Sequence, residues 1–183
     1  YESFHTIFSA PESMSKRLKN CISGRIPKVD AVRDLLSRIN PDEIRSIHEE
    51  MIDIIKRNRV FREGTIGGYV VAGLDGVELF SSTKKSCPNC LSRKKHTGET
   101  EYFYRSVVCM IIGKSPHVIL GQEMLKPRDG SGKDEGELTG GKRLIERLKK
   151  RHGHFADVIV ADALYLNAPF INTLKENGLE GVI

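Results

Sequence analysis

Two aspartates and two cysteines are the residues of this chain whose types and spacing could do chemistry. Asp75 follows the apolar run Tyr69-Val70-Val71-Ala72-Gly73-Leu74, and Asp162 follows Val158-Ile159-Val160-Ala161. Continuous apolar runs of this kind read as strands buried on both faces, so each carboxylate is expected at the carboxyl end of a strand. If the two strands are neighbours, their carboxylates offer hard oxygen ligands to divalent cations. Two such ions, roughly 3.5–4 Å apart, clamp the attacking and leaving oxygens of an in-line phosphoryl displacement. An aspartate after a strand is also a common turn or helix-cap residue, and Asp75-Gly76 is a good turn dipeptide. The pair, more than either residue alone, points to metal binding.

Cys87-Pro88-Asn89-Cys90 has the two-residue spacing of a zinc knuckle, which lets both thiolates turn inward on one Zn²⁺. Nothing repeats the spacing; His96 is near, and Cys109 falls in a predicted strand. Two partly buried thiols in a tight loop is the plainer reading. A Zn²⁺ site completed by His96, or by a residue outside this chain, is the other. A redox dithiol would want a strand-to-helix context, which this polar stretch lacks.

Lys84, Lys85, Arg93, Lys94 and Lys95 surround the cysteines, and Lys142, Arg143, Arg147, Lys149, Lys150 and Arg151 stud a later helix. Most charge runs are solvated faces. These flank the aspartates in sequence, so DNA-backbone contact is their second use, one that positions a nucleic acid without reading its bases. His152 and His154 suggest a metal, but a flexible basic helix end explains them more simply.

The elements that must position these groups follow from periodicity. Residues 1–27 read as loop or short helix. Val29, Val32, Leu35, Leu36 and Ile39 then share one helical face, predicting a helix over 28–39. Asn40-Pro41-Asp42-Glu43 supplies an N-cap, a proline at the first helical position and an early acid, opening a helix over 41–58. Ile44, Ile47, Met51, Ile54 and Ile55 form its stripe, and Lys56-Arg57-Asn58-Arg59 puts cations at its negative end.

After the glycine-rich break at 63–68 the pattern turns strand-like. Strands are expected over 69–74, 103–112, 117–125, 158–161 and from 179 onward, with Gly113-Lys114-Ser115-Pro116 making a hairpin turn. A helix carrying Leu138, Leu144, Ile145 and Leu148 follows the third strand and stops at Gly153, and another runs from 167 to 176. The chain therefore reads as a helical region, 1–66, followed by an α/β domain, 67–183. Its chain order is β-β-β-α-β-α-β, which is similar to an incomplete ribonuclease H-like mixed sheet. In that arrangement the first and fourth strands are adjacent, bringing Asp75 and Asp162 together.

The segment Val71 to Phe80, with Leu74-Asp75-Gly76 at its centre, resembles the first-aspartate segment of DDE-type insertion-sequence transposases. Val158-Ile159-Val160-Ala161-Asp162-Ala163-Leu164-Tyr165 resembles their second-aspartate segment, and Lys56 to Phe61 is similar to a stretch preceding the catalytic domain in one branch. The likeness spans about residues 28–183, with the aspartate segments its specific part. The resemblance implies that Asp75 and Asp162 are catalytic and hold two Mg²⁺ (or Mn²⁺) ions. It implies an enzyme that cuts element ends and joins them to target DNA, as a homodimer in the synaptic complex, in the cytoplasm at the nucleoid. The family's third acid, a glutamate on a helix after the fifth strand, has no counterpart here. Glu137 is the best further carboxylate, on the helix where ribonuclease H itself uses a glutamate. A first-turn acid answering the helix dipole is its plainer role.

A ribonuclease H-like nuclease or resolvase keeps the same chemistry with a different task. A catalytically dead remnant that only binds DNA is a further alternative. An actin-like kinase would need a Gly- and Ser/Thr-rich phosphate loop after Asp75, where Gly76-Val77-Glu78-Leu79 stands; a haloacid-type phosphatase would need an aspartate in place of Val77. Composition is compatible with all of these. Of 183 residues, 39% are apolar and 29% charged, which argues against a disordered chain. No apolar run approaches the roughly 18–20 residues of a membrane span. Four unevenly spaced cysteines do not make a disulfide scaffold, and the net charge of +5 suits a polyanionic partner. Tyr1 at the start and an apolar run at Ile183 lead us to expect a fragment of a longer protein.

Overall fold

A computed structural model describes residues 29–62, 65–113, 115, 117–128 and 133–183. The expected loop or short helix at 1–27 lies outside the described residues. The first two helices form where the apolar periodicity places them: α1 is Val29–Arg38 and α2 is Pro41–Arg57. Between them Asn40 caps α2, its Oδ1 accepting from the Asp42 backbone N–H at 3.0 Å.

The chain divides into two compact units, Tyr1–Ile47 and His48–Ile183. In the described part of the first, Leu35, Leu36, Ile44 and Ile47 remain more than half exposed. The expected unit boundary at residue 66 thus lies inside the second unit, because the later half of α2 is bound into it. Ile52 is buried there, and a His48 ring nitrogen lies 3.0 Å from the Ile119 carbonyl oxygen.

The second unit is built on a mixed sheet of six strands: β1 Val71–Ser82, β2 Leu91–Lys94, β3 Thr100–Ile112, β4 Ile119–Met124, β5 Val158–Ala161 and β6 Glu180–Val182. Two more helices, α3 Glu137–His152 and α4 Ala168–Glu176, connect β4 to β5 and β5 to β6. The strand order is β2-β3-β1-β5-β6, and β4 also pairs with β3. β3 runs antiparallel to β1, β2 and β4, whereas β1, β5 and β6 are parallel.

Two differences from the sequence reading matter. β1 does not end at Leu74 but continues through Asp75 and Gly76, which pair with Val108 and Val107. The good turn dipeptide makes no turn, because the antiparallel partner β3 continues alongside it. β2 was not expected at all; only Leu91 of its four residues is buried, so it has no apolar pattern to read.

α3 and α4 pack on one face of the sheet. Leu144, Ile145, Leu148, Phe170 and Leu174 share a core with Ala72, Leu74, Val107 and Ile159. Burying such side chains contributes roughly 1.5–3 kcal/mol each. Gly140 and Gly141 sit inside α3, where glycine costs about 0.5–1 kcal/mol relative to alanine. They allow close approach: a Cβ on Gly140 would lie 2.4 Å from Leu125 Cδ2, and one on Gly141 2.9 Å from Tyr165 Cε1. No helix among the described residues is long and apolar enough to cross a membrane.

Candidate active site

Leu74 of β1 and Ala161 of β5 are register partners, and the next residue on each chain is an aspartate. Side chains alternate along a strand, so Asp75 shares a face with Gly73 and Val77, and Asp162 continues the face of Val160. Neighbouring strands lie about 4.8 Å apart, so the two carboxylates issue side by side. Both line an open groove of about 600 Å³, walled by Val108, Met110 and Val160.

Each carboxylate is fixed by the backbone beside it. Asp75 Oδ1 accepts from the Gly76 N–H at 2.7 Å, and Asp162 Oδ1 accepts from the Leu164 N–H at 3.0 Å. The second contact makes Asp162 the cap of the 3₁₀ turn Ala163–Tyr165. Among the described residues, Oδ2 of either aspartate makes no hydrogen bond. Both residues are exposed.

Across β1, on the helix face, stands Glu137. Its carboxylate sits against the Cα of Gly76, where a Cβ would come within 2.2 Å of Oε2. Arg105 Nη2 holds Glu137 Oε1 at 2.7 Å. Tyr165 is fully buried beneath α3 and α4, against Gly141 and Phe170, and among the described residues its hydroxyl has no hydrogen-bond partner. Burial raises its pKa above the ordinary phenol value, and the charges of Glu137, Asp162 and Asp75 raise it further. Tyr165, Arg105 and the bare Cα of Gly76 are parts of this site that the sequence reading did not single out. Tyr165, three residues after Asp162 in the same segment, was the legible signal.

The other site residues lie apart from this centre. Cys87 and Cys90 stand before β2 with their sulfurs 2.7 Å apart. Among the described residues no group of three or more His, Cys, Asp or Glu side chains is gathered to hold a metal. His96 is exposed beyond the far end of β2, so the four strand residues, about 13 Å of chain, separate it from Cys90.

The basic residues fall into two sets. Arg143 donates to Glu123 at 3.0 Å, to Glu135 and to the Met124 carbonyl. Arg147 donates to Glu123 at 3.0 Å, Glu49 at 2.7 Å and the Gln122 carbonyl at 2.8 Å. Arg151 reaches Glu49 at 3.2 Å and Asp53 at 2.7 Å, and Lys95 pairs with Glu101 at 2.9 Å. These four are engaged within the protein. Lys84, Lys85, Lys94 and Lys150 are exposed and make no ion pair among the described residues; Lys142 is half-buried.

The helix end expected to be flexible is instead anchored. His152 is buried, with Nδ1 2.6 Å from Asp53 Oδ1, and its carbonyl accepts from Lys56. The hydrogen bond with His152 pulls Asp53 below the ordinary carboxylate pKa, helped by the neighbouring charges of His152 and Arg151. His154 pairs with Asp157 at 2.8 Å, whose other oxygen accepts from the Val70 N–H.

Comparison with protein-family models, curated proteins and solved structures finds no match.

Proposed function

We propose that this chain carries the metal-dependent phosphoryl-transfer centre of a DDE-type DNA transposase, built on a ribonuclease H-like sheet. The observation that carries the reading is the in-register placement of Asp75 and Asp162 on one open groove. The path β4-β3-β1-β5-β6, two antiparallel steps followed by two parallel ones, supports it, since this is the order the resemblance implies.

The donor set suits the ions. Two exposed carboxylates, each with an oxygen that no described residue engages, are hard ligands of the kind Mg²⁺ and Mn²⁺ prefer. Asp75 and Asp162 would hold them, and bound ions would supply charge neutralisation and an activated oxygen nucleophile for in-line attack on a DNA phosphate. The protein's own part is positional. The Gly76 and Leu164 N–H groups fix one oxygen of each carboxylate, leaving the other for a ligand. Lys84, Lys85, Lys94 and Lys150 are the cations open to phosphates of element-end or target DNA. Joining two element ends in one event calls for two such centres, hence a homodimer.

The test is cleavage of element-end DNA by the protein expressed from its whole reading frame, with Mg²⁺ or Mn²⁺ added. Asp75→Asn and Asp162→Asn should each abolish cleavage. Full activity in either rejects the two-metal assignment.

One observation favours a second reading, a ribonuclease H-like nuclease or resolvase. Glu137 stands on the opposite face of β1 against Gly76, the neighbour of Asp75, and it joins Asp75 and Asp162 in raising the Tyr165 phenol, so α3 brings a third carboxylate close to the pair. In that reading Glu137→Gln costs as much activity as Asp75→Asn, and the preferred substrate is a hybrid duplex or junction. In the transposase reading Glu137 serves structure and its neutral variant retains cleavage.

A further inference from the structure

The residues before β2 form a second cluster of chemical groups, independent of the aspartates. Cys87 and Cys90 close a tight turn, with the Cys90 N–H donating to the Cys87 carbonyl at 3.1 Å. That turn brings the two sulfurs to 2.7 Å. A third group meets them: Tyr104 Oη lies 2.5 Å from Cys87 Sγ. The sheet register explains this meeting. Leu91 pairs with Phe103 at the start of β2, so Cys90 and Tyr104 occupy the next opposed positions of the same antiparallel ladder. Leu91 is buried and anchors that corner. Cys87 and Cys90 open onto a groove of about 440 Å³ whose wall also includes Ser92, Tyr102, Asp134 and the basic residues Arg128 and Lys133.

We propose that Cys87, Cys90 and Tyr104 form a binding site for a thiophilic divalent cation of the Zn²⁺ class. The two thiolates would be the primary ligands and the Tyr104 oxygen the third donor, with solvent in the groove completing the shell. The two-residue spacing and the turn at Cys87–Cys90 aim both sulfurs at one point, as a knuckle does. Zn–S bonds of about 2.3 Å at tetrahedral angles hold sulfurs about 3.7 Å apart, so loading the site parts the thiols by about 1 Å. Cys109, by contrast, is buried in β3 and pushed up to about 12 by burial alone, so it is no competitor for the ion.

The experiment is Co²⁺ titration of the reduced, chelator-treated full chain, reading thiolate-to-Co²⁺ charge-transfer absorption, with Zn²⁺ as the displacing ion. A single equivalent should bind and be displaced by Zn²⁺. Cys87→Ser and Cys90→Ser should each lose the band, and Tyr104→Phe should weaken binding by about 10–100-fold. Alkylation of the wild-type protein gives a second reading that does not depend on the folding of the serine variants. Zn²⁺ should protect Cys87 and Cys90 together from iodoacetamide, with Cys109 as the unreactive internal reference. Absence of the charge-transfer band in folded wild-type protein overturns the proposal. So does a band that survives Cys90→Ser, alkylation indifferent to Zn²⁺, or capture of the two thiols as a disulfide that excludes metal under reducing conditions.

Discussion

Asp75 and Asp162 are the first residues beyond Leu74 and Ala161, the last register pair of two parallel strands. Past that point the strands part company: β1 continues against β3, while the chain after β5 turns into the 3₁₀ segment capped by Asp162. The sheet therefore opens where the two carboxylates emerge, leaving them exposed on one groove. In open α/β sheets a crevice at strand carboxyl ends is where ligands bind.

Exposure separates function from stability at these positions. Asp75→Asn and Asp162→Asn remove charge but keep shape, and the backbone N–H of Gly76 or Leu164 keeps an oxygen acceptor. Each variant should melt within about 0.5 kcal/mol of wild type, as surface substitutions do. In the proposed transposase reading, metal-dependent cleavage by the protein expressed from its whole reading frame should fall by on the order of 10²–10³-fold or more. A loss of activity accompanied by an equal loss of folded protein would count against the assignment.

Gly76→Ala tests the opposite face of the same strand. The added methyl would press on the Glu137 carboxylate, which Arg105 holds in place. Overpacking of this kind costs about 1–3 kcal/mol. The same substitution made in a Glu137→Ala background should cost markedly less, because the obstructing carboxylate is gone. Additive losses in chemical denaturation would show that Glu137 does not oppose the methyl.

How far the sequence carried depended on whether a feature had a pattern to leave. The apolar runs before Asp75 and Asp162 do form strands, but they are not buried on both faces: Ile159 alone of β5 is buried, and Gly73 and Val160 line the open groove. α3 and α4 lie where their periodicity puts them. The second half of β1 was missed because Val77, Leu79 and Phe80 are exposed there, and the segment is held by its pairing with β3, Val77 opposite Ser106 and Phe80 opposite Tyr104, which no local pattern reports. The arginines of α3 read as a solvated basic face, yet Arg147 meets Glu49 some hundred residues upstream. Such pairings depend on the fold and not on spacing. Tyr165 and Gly76 matter for what stands next to them, Gly141 in one case and Glu137 in the other, and that too is invisible before the helix is docked.

The Asp53–His152 contact makes an acid-limb prediction. The folded carboxyl of Asp53 titrates below its ordinary value of 3.8, because His152 hydrogen-bonds to it and His152 and Arg151 favour its charge. A carboxylate with a depressed folded pKa stabilises the protein fully above the unfolded value and loses that contribution as pH falls through the folded one. Stability should therefore drop more steeply below about pH 4 in wild type than in Asp53→Asn, as measured by urea midpoints across that range. Parallel curves for the two proteins would contradict the contact.

The basic residues should separate into two classes by salt dependence. Arg147 is held by two carboxylates and a carbonyl, so removing it leaves Glu49 and Glu123 without that partner. Arg147→Ala should cost about 2 kcal/mol of stability, in keeping with hydrogen bonds to charged groups. Lys84 and Lys85 have no such role: they are exposed, and Ser82 Oγ accepts from their backbone N–H groups, fixing the loop that presents them. Lys84→Ala and Lys85→Ala should leave stability within about 0.5 kcal/mol of wild type. If these lysines contact duplex phosphates, each substitution removes one neutralised charge and lowers the slope of log Kobs against log salt by about 0.9. The measurement is DNA affinity across a salt series for the three variants and wild type. A slope lowered by Arg147→Ala in folded protein, and untouched by both lysine variants, would reverse the division drawn from the ion pairs.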